Sequence, residues 1–140
     1  GLQGVKNIRL GYKDEDSYEN DDPEHINLKQ VPKHTLVYEI IGPMFFAAAD
    51  KFLEISTGPD TRVLIIRMRG VPAMDMTALR SLKKIYALCN KKGITLILSH
   101  VKEQPLHMME KAGFADEVGR ENFCANIDAS IARAQEIELG

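Results

Sequence analysis

The chain has 140 residues, of which 44% are hydrophobic and 27% are charged, and its formal net charge is −2. These values are typical of one globular domain that buries its own core without needing a disulfide or a metal. The weak net charge and the absence of tryptophan exclude the basic footprint and the base-stacking platforms of nucleic-acid-binding domains. No apolar run approaches the roughly 20 residues that span a bilayer.

The first thirty residues differ in composition from the rest of the chain. The run from Asp14 to Glu24 is mostly acidic and has almost nothing apolar to bury. Such a run cannot offset its own ordering entropy, which predicts a flexible acidic linker over residues 1–30 and a folded domain over residues 31–140. The acidic run does not have, at the required spacing, the glycine and the terminal Glu of an EF-hand calcium loop. Because the chain begins at Gly1, we expect a further segment before the linker.

Two strands and a helix are predicted in the first half of the folded part. Leu36–Ile41 is a short apolar run that ends at Gly42-Pro43, and this pattern predicts a strand. Pro43 is well placed at the first position of a helix that continues to about Ile55. Val63–Met68 predicts a second strand, apolar enough at its centre to be buried on both faces.

An amphipathic helix is predicted after the turn GVPAMD at 70–75. Its apolar side has steps of three and four residues, and Gly93 is a natural C-terminal stop. The apolar positions are Met76, Leu79, Leu82, Ile85 and Cys89, and the opposite face carries Arg80, Lys83, Lys84 and Lys91.

The remaining elements predict an α/β fold. Ile94–Leu98 reads as a third buried strand, and Pro105 opens a helix that ends at Gly113. Phe114–Val118 is interpreted as a short edge strand, and apolar residues from Ile127 to Ile137 mark a final helix. Strands that alternate with helices favour βαβ units and a largely parallel sheet.

The reactive side chains show no pattern typical of an enzyme. A nucleophile elbow, a Walker loop and a dinucleotide-binding glycine motif are absent from the sequence. His100 follows the third strand, where active sites of open sheets gather, but an exposed loop histidine is the favoured interpretation. Cys89 falls on an apolar stripe, and nothing near Cys124 would lower its pKa. We therefore predict no catalytic residue, no metal and no cofactor, and a small hydrolase or phosphatase is the disfavoured alternative.

The turn Met74–Leu79 is the one stretch with a distinctive pattern. Asp75 suits an N-cap whose carboxylate accepts hydrogen bonds from the amides of Thr77 and Ala78. The same free amides and the helix dipole could hold an anion or an added phosphate, with Arg80 one turn further to neutralise it. An ordinary capped helix is the simpler interpretation.

Several segments, in this order and spacing, resemble a STAS domain, and more narrowly the STAS domain of SulP-family anion permeases. They are VYEIIGPMFFAAADKF, VLIIRMRGVPAMDMTALRSL, GITLILSHV and QPLHMMEKAGF. The turn GPMFFA at 42–47 is similar to the SulP version, and MDMTAL at 74–79 is similar to the conserved loop of the wider group. The resemblance covers Val31 to about Ala134.

The resemblance implies both a fold and a role. The fold is the STAS, anti-sigma-factor-antagonist-like fold, a small mostly parallel sheet with helices packed mainly on one face. The role is that of a cytoplasmic C-terminal regulatory and docking domain of a secondary anion transporter, with sulfate the expected anion, on the cytoplasmic face of the inner (plasma) membrane. The transmembrane domain of the same transporter is the implied partner. A cytoplasmic regulatory protein, a weakly bound nucleotide and a homodimer through the full-length transporter are left open.

One departure separates the two branches of the group. In the antagonist branch a kinase phosphorylates a Ser or Thr directly after the loop Asp, whereas Met76 occupies that position here. A free-standing anti-sigma-factor antagonist of a partner-switching system is therefore the alternative, and the permease branch is favoured. The predicted regulatory and docking loop consists of Asp75, Met76, Thr77, Arg80 and Lys83.

Overall fold

A computed structural model describes residues 2–3, 7–10, 29–41 and 49–140. The strands are β1 (Leu2–Gln3), β2 (Asn7–Leu10), β3 (Val31–Pro32), β4 (Thr35–Ile41), β5 (Val63–Gly70), β6 (Thr95–Ser99) and β7 (Phe123–Cys124). The helices are α1 (Ala49–Ser56), α2 (Met76–Lys92), α3 (Glu103–Lys111), α4 (Phe114–Val118) and α5 (Ile127–Leu139).

Five strands form one sheet in the order β2-β4-β5-β6-β7, and every neighbouring pair is parallel. The central strand β5 is buried from Val63 to Met68, as a strand covered on both faces must be. A separate antiparallel pair joins β1 to β3. The predicted α/β class and the mostly parallel sheet are confirmed.

The helices cover the two faces of the sheet unequally. The larger hydrophobic cluster joins one face to helices α1 to α4, and its members include Tyr38, Leu53, Leu64, Ile66, Leu79, Leu82, Met109 and Phe114. The smaller cluster joins the other face to α5, and its members include Val37, Val63, Ile65, Ile97, Ile127 and Ile131. Side chains that alternate along β5 therefore contribute to opposite clusters. The prediction that helices pack mainly on one face is confirmed.

Two predicted elements of the second half are wrong in detail. Phe114–Val118 is the short helix α4, and the edge strand is Phe123–Cys124 instead. Gly113, at φ 76°, ends α3 and turns the chain, so that Phe114 and Val118 lie one helical turn apart against the core. Helix α3 begins at Glu103 and not at Pro105, because proline is tolerated anywhere in the first turn, where amides have no helical partner.

The N-terminal region contributes to the sheet. Strands β1 and β2 fall within residues 1–30, the range that the composition assigns to a linker, and β2 forms the outer strand beside β4. The acidic run itself lies outside the described residues. The predicted start of the first helix, at Pro43, also lies outside them, and α1 is described from Ala49.

Candidate functional site

The predicted loop lies at the carboxyl end of β5, where the chain turns from the sheet into α2. Gly70 ends the strand beside Ile41, and an added Cβ at Gly70 would lie 3.0 Å from the Cγ1 atom of Ile41. The loop is anchored in the core, because the side chains of Val71 and Met74 are buried in the larger hydrophobic cluster. The exposed residues between and after them are consequently held in place by a rigid base.

Asp75 caps α2 as the sequence predicts. Its backbone is extended, and its Oδ1 atom accepts a hydrogen bond of 2.8 Å from the amide of Ala78. The carbonyl oxygen of Asp75 also accepts from the amide of Leu79 at 3.0 Å. Of the two amides named in the prediction, the structure joins the carboxylate to that of Ala78 alone and not to that of Thr77. The simpler interpretation, a capped helix, describes this turn.

Gln104 of α3 holds the loop from a second side. Its Oε1 atom accepts from the amide of Met74 at 2.7 Å, and its Nε2 atom donates to the carbonyl oxygen of Met74 at 3.1 Å. The side-chain amide thus satisfies both backbone groups of one loop residue. The sequence carries no signal for this contact, because the two residues are 30 positions apart and belong to different elements.

The other predicted site residues are presented to the outside. Met76, which the sequence spacing assigned to the apolar side of α2, is 55% exposed, so that assignment is wrong; at about 100° per residue it lies beyond the edge of the buried stripe. Thr77, Arg80 and Lys83 are also exposed. Asp75, Met76 and Thr77 lie together at the start of α2, whereas Arg80 and Lys83 follow along the helix. Across the parts of the chain that the structure describes, neither Arg80 nor Lys83 takes part in an ion pair. The arrangement offers exposed side chains on which a partner can bind.

A row of polar side chains crosses the sheet on the face that carries α5. Glu39, Arg67, Ser99 and Cys124 occupy matching register positions on four neighbouring strands. The buried Glu39 carboxylate receives two hydrogen bonds from Arg69, at 2.8 and 3.3 Å, and Arg67 approaches it to 3.9 Å. Buried charges are stable in a sheet only when they are paired in this way. The sequence analysis did not single out these residues, although charges within apolar runs are a signal that could have found them.

The candidate nucleophiles and bases are dispersed. Burial raises the pKa of the Cys89 thiol to about 12, so that this thiol stays protonated at neutral pH. Burial also raises the pKa of Cys124. His100 is exposed just after β6, with a left-handed backbone at φ 56°. Within residues 29–41 and 49–140 no three His, Cys, Asp or Glu side chains are grouped as metal ligands would be.

None of the helices in the described ranges combines the length and the apolar character that crossing a membrane requires.

Comparison with known proteins identifies the family. The family model described as "STAS domain" matches residues 25–134. A curated relative, "Probable sulfate transporter 4.2" of Arabidopsis thaliana, is 26% identical in an alignment 127 residues long; the match covers 75% of this chain and 18% of that protein. "Probable sulfate transporter 3.5" of the same plant is 24% identical in an alignment 102 residues long; the match covers 69% of this chain and 16% of that protein. The chain thus spans less than a fifth of the length of these relatives.

Two solved structures have the same fold at higher sequence identity. A sulfate transporter family protein from Wolinella succinogenes superimposes with a TM-score of 0.80 at 31% identity, covering 86% of this chain and all of that one. The STAS domain of a SulP transporter from Vibrio cholerae superimposes with a TM-score of 0.70, also at 31% identity, covering 79% of this chain and 88% of that one. The resemblance drawn from the sequence is confirmed. The chain belongs to the STAS domain family, and it is homologous to the STAS domains of SulP transporters.

Proposed function

We propose that this chain is the cytoplasmic C-terminal regulatory and docking domain of a SulP-family secondary anion transporter, and that sulfate is the transported anion. The observation that carries the proposal is the match, at 31% identity, to STAS domains of transporters over most of their length. The curated relatives support it, because both are named as sulfate transporters and both are several times longer than this chain. Transport belongs to a membrane domain, and this domain acts by contact.

The docking surface in this proposal consists of Asp75, Met76, Thr77, Arg80 and Lys83. Its support is geometric. Two buried residues and the Gln104 side chain hold the loop, so that the exposed side chains are presented without a further ordering cost. The transmembrane domain of the same transporter is the first partner that this surface would contact.

A binding role is favoured over a catalytic one by the environment of the reactive groups. The Cys89 thiol is buried with a raised pKa, and the Asp75 carboxylate is engaged in capping a helix. Neither group is free to attack a substrate. A free-standing antagonist of a partner-switching system is not favoured, because Met76 is exposed at the position of the phosphorylated residue and has no hydroxyl group.

The test is sulfate uptake by cells that carry the full-length gene. We compare the intact transporter with a deletion of residues 31–140, the double variant Arg80→Glu/Lys83→Glu, and the control Lys33→Glu/Lys111→Glu. The control changes the net charge equally at two exposed lysines outside the loop. We expect uptake to fall several-fold in the deletion and in Arg80→Glu/Lys83→Glu, and to stay near wild type in the control. The comparison is made at equal amounts of transporter in the membrane.

Uptake that is unchanged by the deletion would contradict a regulatory role for the domain. Equal losses of sulfate uptake in Arg80→Glu/Lys83→Glu and in the control would contradict the location of the docking surface. If the intact gene gives no sulfate uptake at all, the assignment of sulfate is wrong.

A further inference from the structure

Helix α2 has an unusual charge composition. Its 17 residues include five basic side chains and no acidic one. Three of the five, Arg80, Lys84 and Lys91, lie near the centre of the face that points away from the buried stripe, given 100° of rotation per residue. Lys83 lies on the flank of the same face. We call Met76, Arg80, Lys83, Lys84 and Lys91 the basic face of α2.

Most of the basic face does not serve the stability of the helix. Lys91 is the exception, because it lies in the last turn, where a cation interacts favourably with the helix dipole. Like charges three or four residues apart, such as Arg80 with Lys83 and Lys84, repel each other and destabilise a helix. Over the described ranges none of the four basic side chains forms a salt bridge that would offset this repulsion. Lys92 is different, because it donates to the hydroxyl of Thr57, the residue that follows α1, at 3.0 Å.

The shape of the surface points to an extended partner. Two pockets among the described residues, of about 220 and 440 Å³, are lined by other parts of the chain, and both include Lys33 and His34. Protein partners commonly anchor an aromatic or aliphatic side chain in a pocket. A layer of lipid headgroups needs no pocket, only a row of cations at its surface.

Exposed apolar side chains lie at one end of the basic face of α2. Met76 is 55% exposed, and the neighbouring loop residues Pro72 and Ala73 are exposed as well. Basic side chains with apolar ones at their border are typical of segments that lie on a membrane surface.

The charge of the chain is divided between two regions. The run from Asp14 to Glu24 carries seven acidic and no basic side chain, so the net charge of −2 for the whole chain leaves +5 for the other residues. Charges are screened beyond about 8 Å at physiological ionic strength. A binding partner at the basic face of α2 therefore interacts with the charges of that helix more strongly than with the net charge of the whole chain.

We propose that the basic face of α2 binds the anionic lipid headgroups of the cytoplasmic leaflet, with Met76 at the headgroup boundary. This inference rests on the proposed function, which places the domain beside a membrane. It adds a lipid contact to the contact of the docking surface with the transmembrane domain: Arg80 and Lys83 also reach the bilayer beside that domain, and Lys84 and Lys91 extend the lipid contact along the helix.

The test is sedimentation of the 140-residue chain with vesicles. We compare vesicles of phosphatidylcholine alone with vesicles that contain about one third phosphatidylglycerol, at low and high salt. We expect binding to the anionic vesicles that is at least about tenfold tighter than to the neutral ones, and that is lost at high salt. The variant Lys84→Glu/Lys91→Glu should reduce this binding at least about tenfold, and Lys33→Glu/Lys111→Glu less than about twofold.

Equal binding to both kinds of vesicle, or equal losses in the two variants, would overturn the inference. Binding to soluble polyglutamate without binding to anionic vesicles would also overturn it and would indicate an acidic protein as the partner. Circular dichroism of each variant excludes unfolding as the cause of a loss. The outcome is separable from the proposed function, because sulfate uptake that depends on residues 31–140 would stand even if the vesicles are not bound.

Discussion

The chemical state of single side chains in this domain is set by burial. Cys89 is 2% exposed in the larger hydrophobic cluster, and burial raises the pKa of its thiol from 9.0 to about 12 despite the nearby Lys92. Burial likewise raises the pKa of Tyr38 from 10.0 to about 12. In both cases the neutral form is the one that the folded protein holds.

Alkaline pH should therefore destabilise the fold through Cys89. The folded pKa lies above the unfolded one, so this contribution to stability is complete below about pH 9 and is lost as the pH rises towards 12. We expect the unfolding free energy of the wild type to fall between pH 9 and pH 11 by about 2 kcal/mol more than that of Cys89→Ala. Urea denaturation at pH 8, 9, 10 and 11 measures the difference.

The comparison with Cys89→Ala removes the contributions that the two proteins share, including those of Tyr38 and the lysines. Parallel pH profiles would show that the Cys89 thiol ionises equally in the folded and unfolded states.

At the scale of elements, loop 71–75 depends on a contact between two helices' termini. Gln104, in the first turn of α3, binds the backbone of Met74 just before α2 begins. The start of α2 is thereby tied to α3 as well as to the sheet, and the proposed docking residues lie beside this contact.

Replacing Gln104 with alanine should loosen this loop. The substitution removes both hydrogen bonds to Met74, whose amide then exchanges with solvent, and we expect a cost of about 1–2 kcal/mol. The matched control is Gln135→Ala, an exposed glutamine on α5 for which a change below about 0.5 kcal/mol is expected. Hydrogen exchange at the Met74 amide and urea denaturation are the measurements. Wild-type protection of that amide in Gln104→Ala would rule out the bracing role.

The elements that could be predicted from sequence are those with a sustained pattern. Strands β4, β5 and β6 are apolar runs, and α2 has 17 residues of helical spacing with a cap at Asp75 and a stop at Gly93. Phe114–Val118 spans five residues, too few to separate a helical from an extended period, and flanking glycines are compatible with either. Exposure of Arg80 and Lys83 also followed from helical spacing, which needs only local information. The same spacing placed Met76 on the apolar side, where the structure does not have it. The Gln104 contact needed the tertiary structure.

On the scale of the whole molecule, α5 covers the second face of the sheet, and hydrogen bonds hold its C-terminal end in place. The Arg62 guanidinium donates to the carbonyl oxygens of Glu138 and Ile137 at 2.8 and 2.9 Å. The Glu138 carboxylate in turn accepts from the amide of His34 at 3.1 Å and from the Thr35 hydroxyl. The last turn of α5 is thus joined to the segments that lead into β4 and β5.

Loss of the hydrogen bonds from Arg62 should allow α5 to detach before the rest of the domain unfolds. In Arg62→Met, the last carbonyl groups of α5 lose a charged donor, and we expect a cost of about 1–3 kcal/mol with faster hydrogen exchange in α5 than in α2. Arg80→Met is the control, since this exposed arginine makes no described contact and should change stability by less than about 0.5 kcal/mol. Exchange that accelerates equally in both helices would mean that the domain opens as one unit.

The outer strands of the sheet restrict how copies of the domain can associate. Strand β2 has four residues and β7 has two, so each edge of the described sheet offers only a short row of backbone donors and acceptors. Short edges resist the addition of a strand from another molecule, which is the route by which sheets polymerise. Two copies of the domain would therefore meet through helical surfaces, and a continuous intermolecular sheet is not the expected form of the pair.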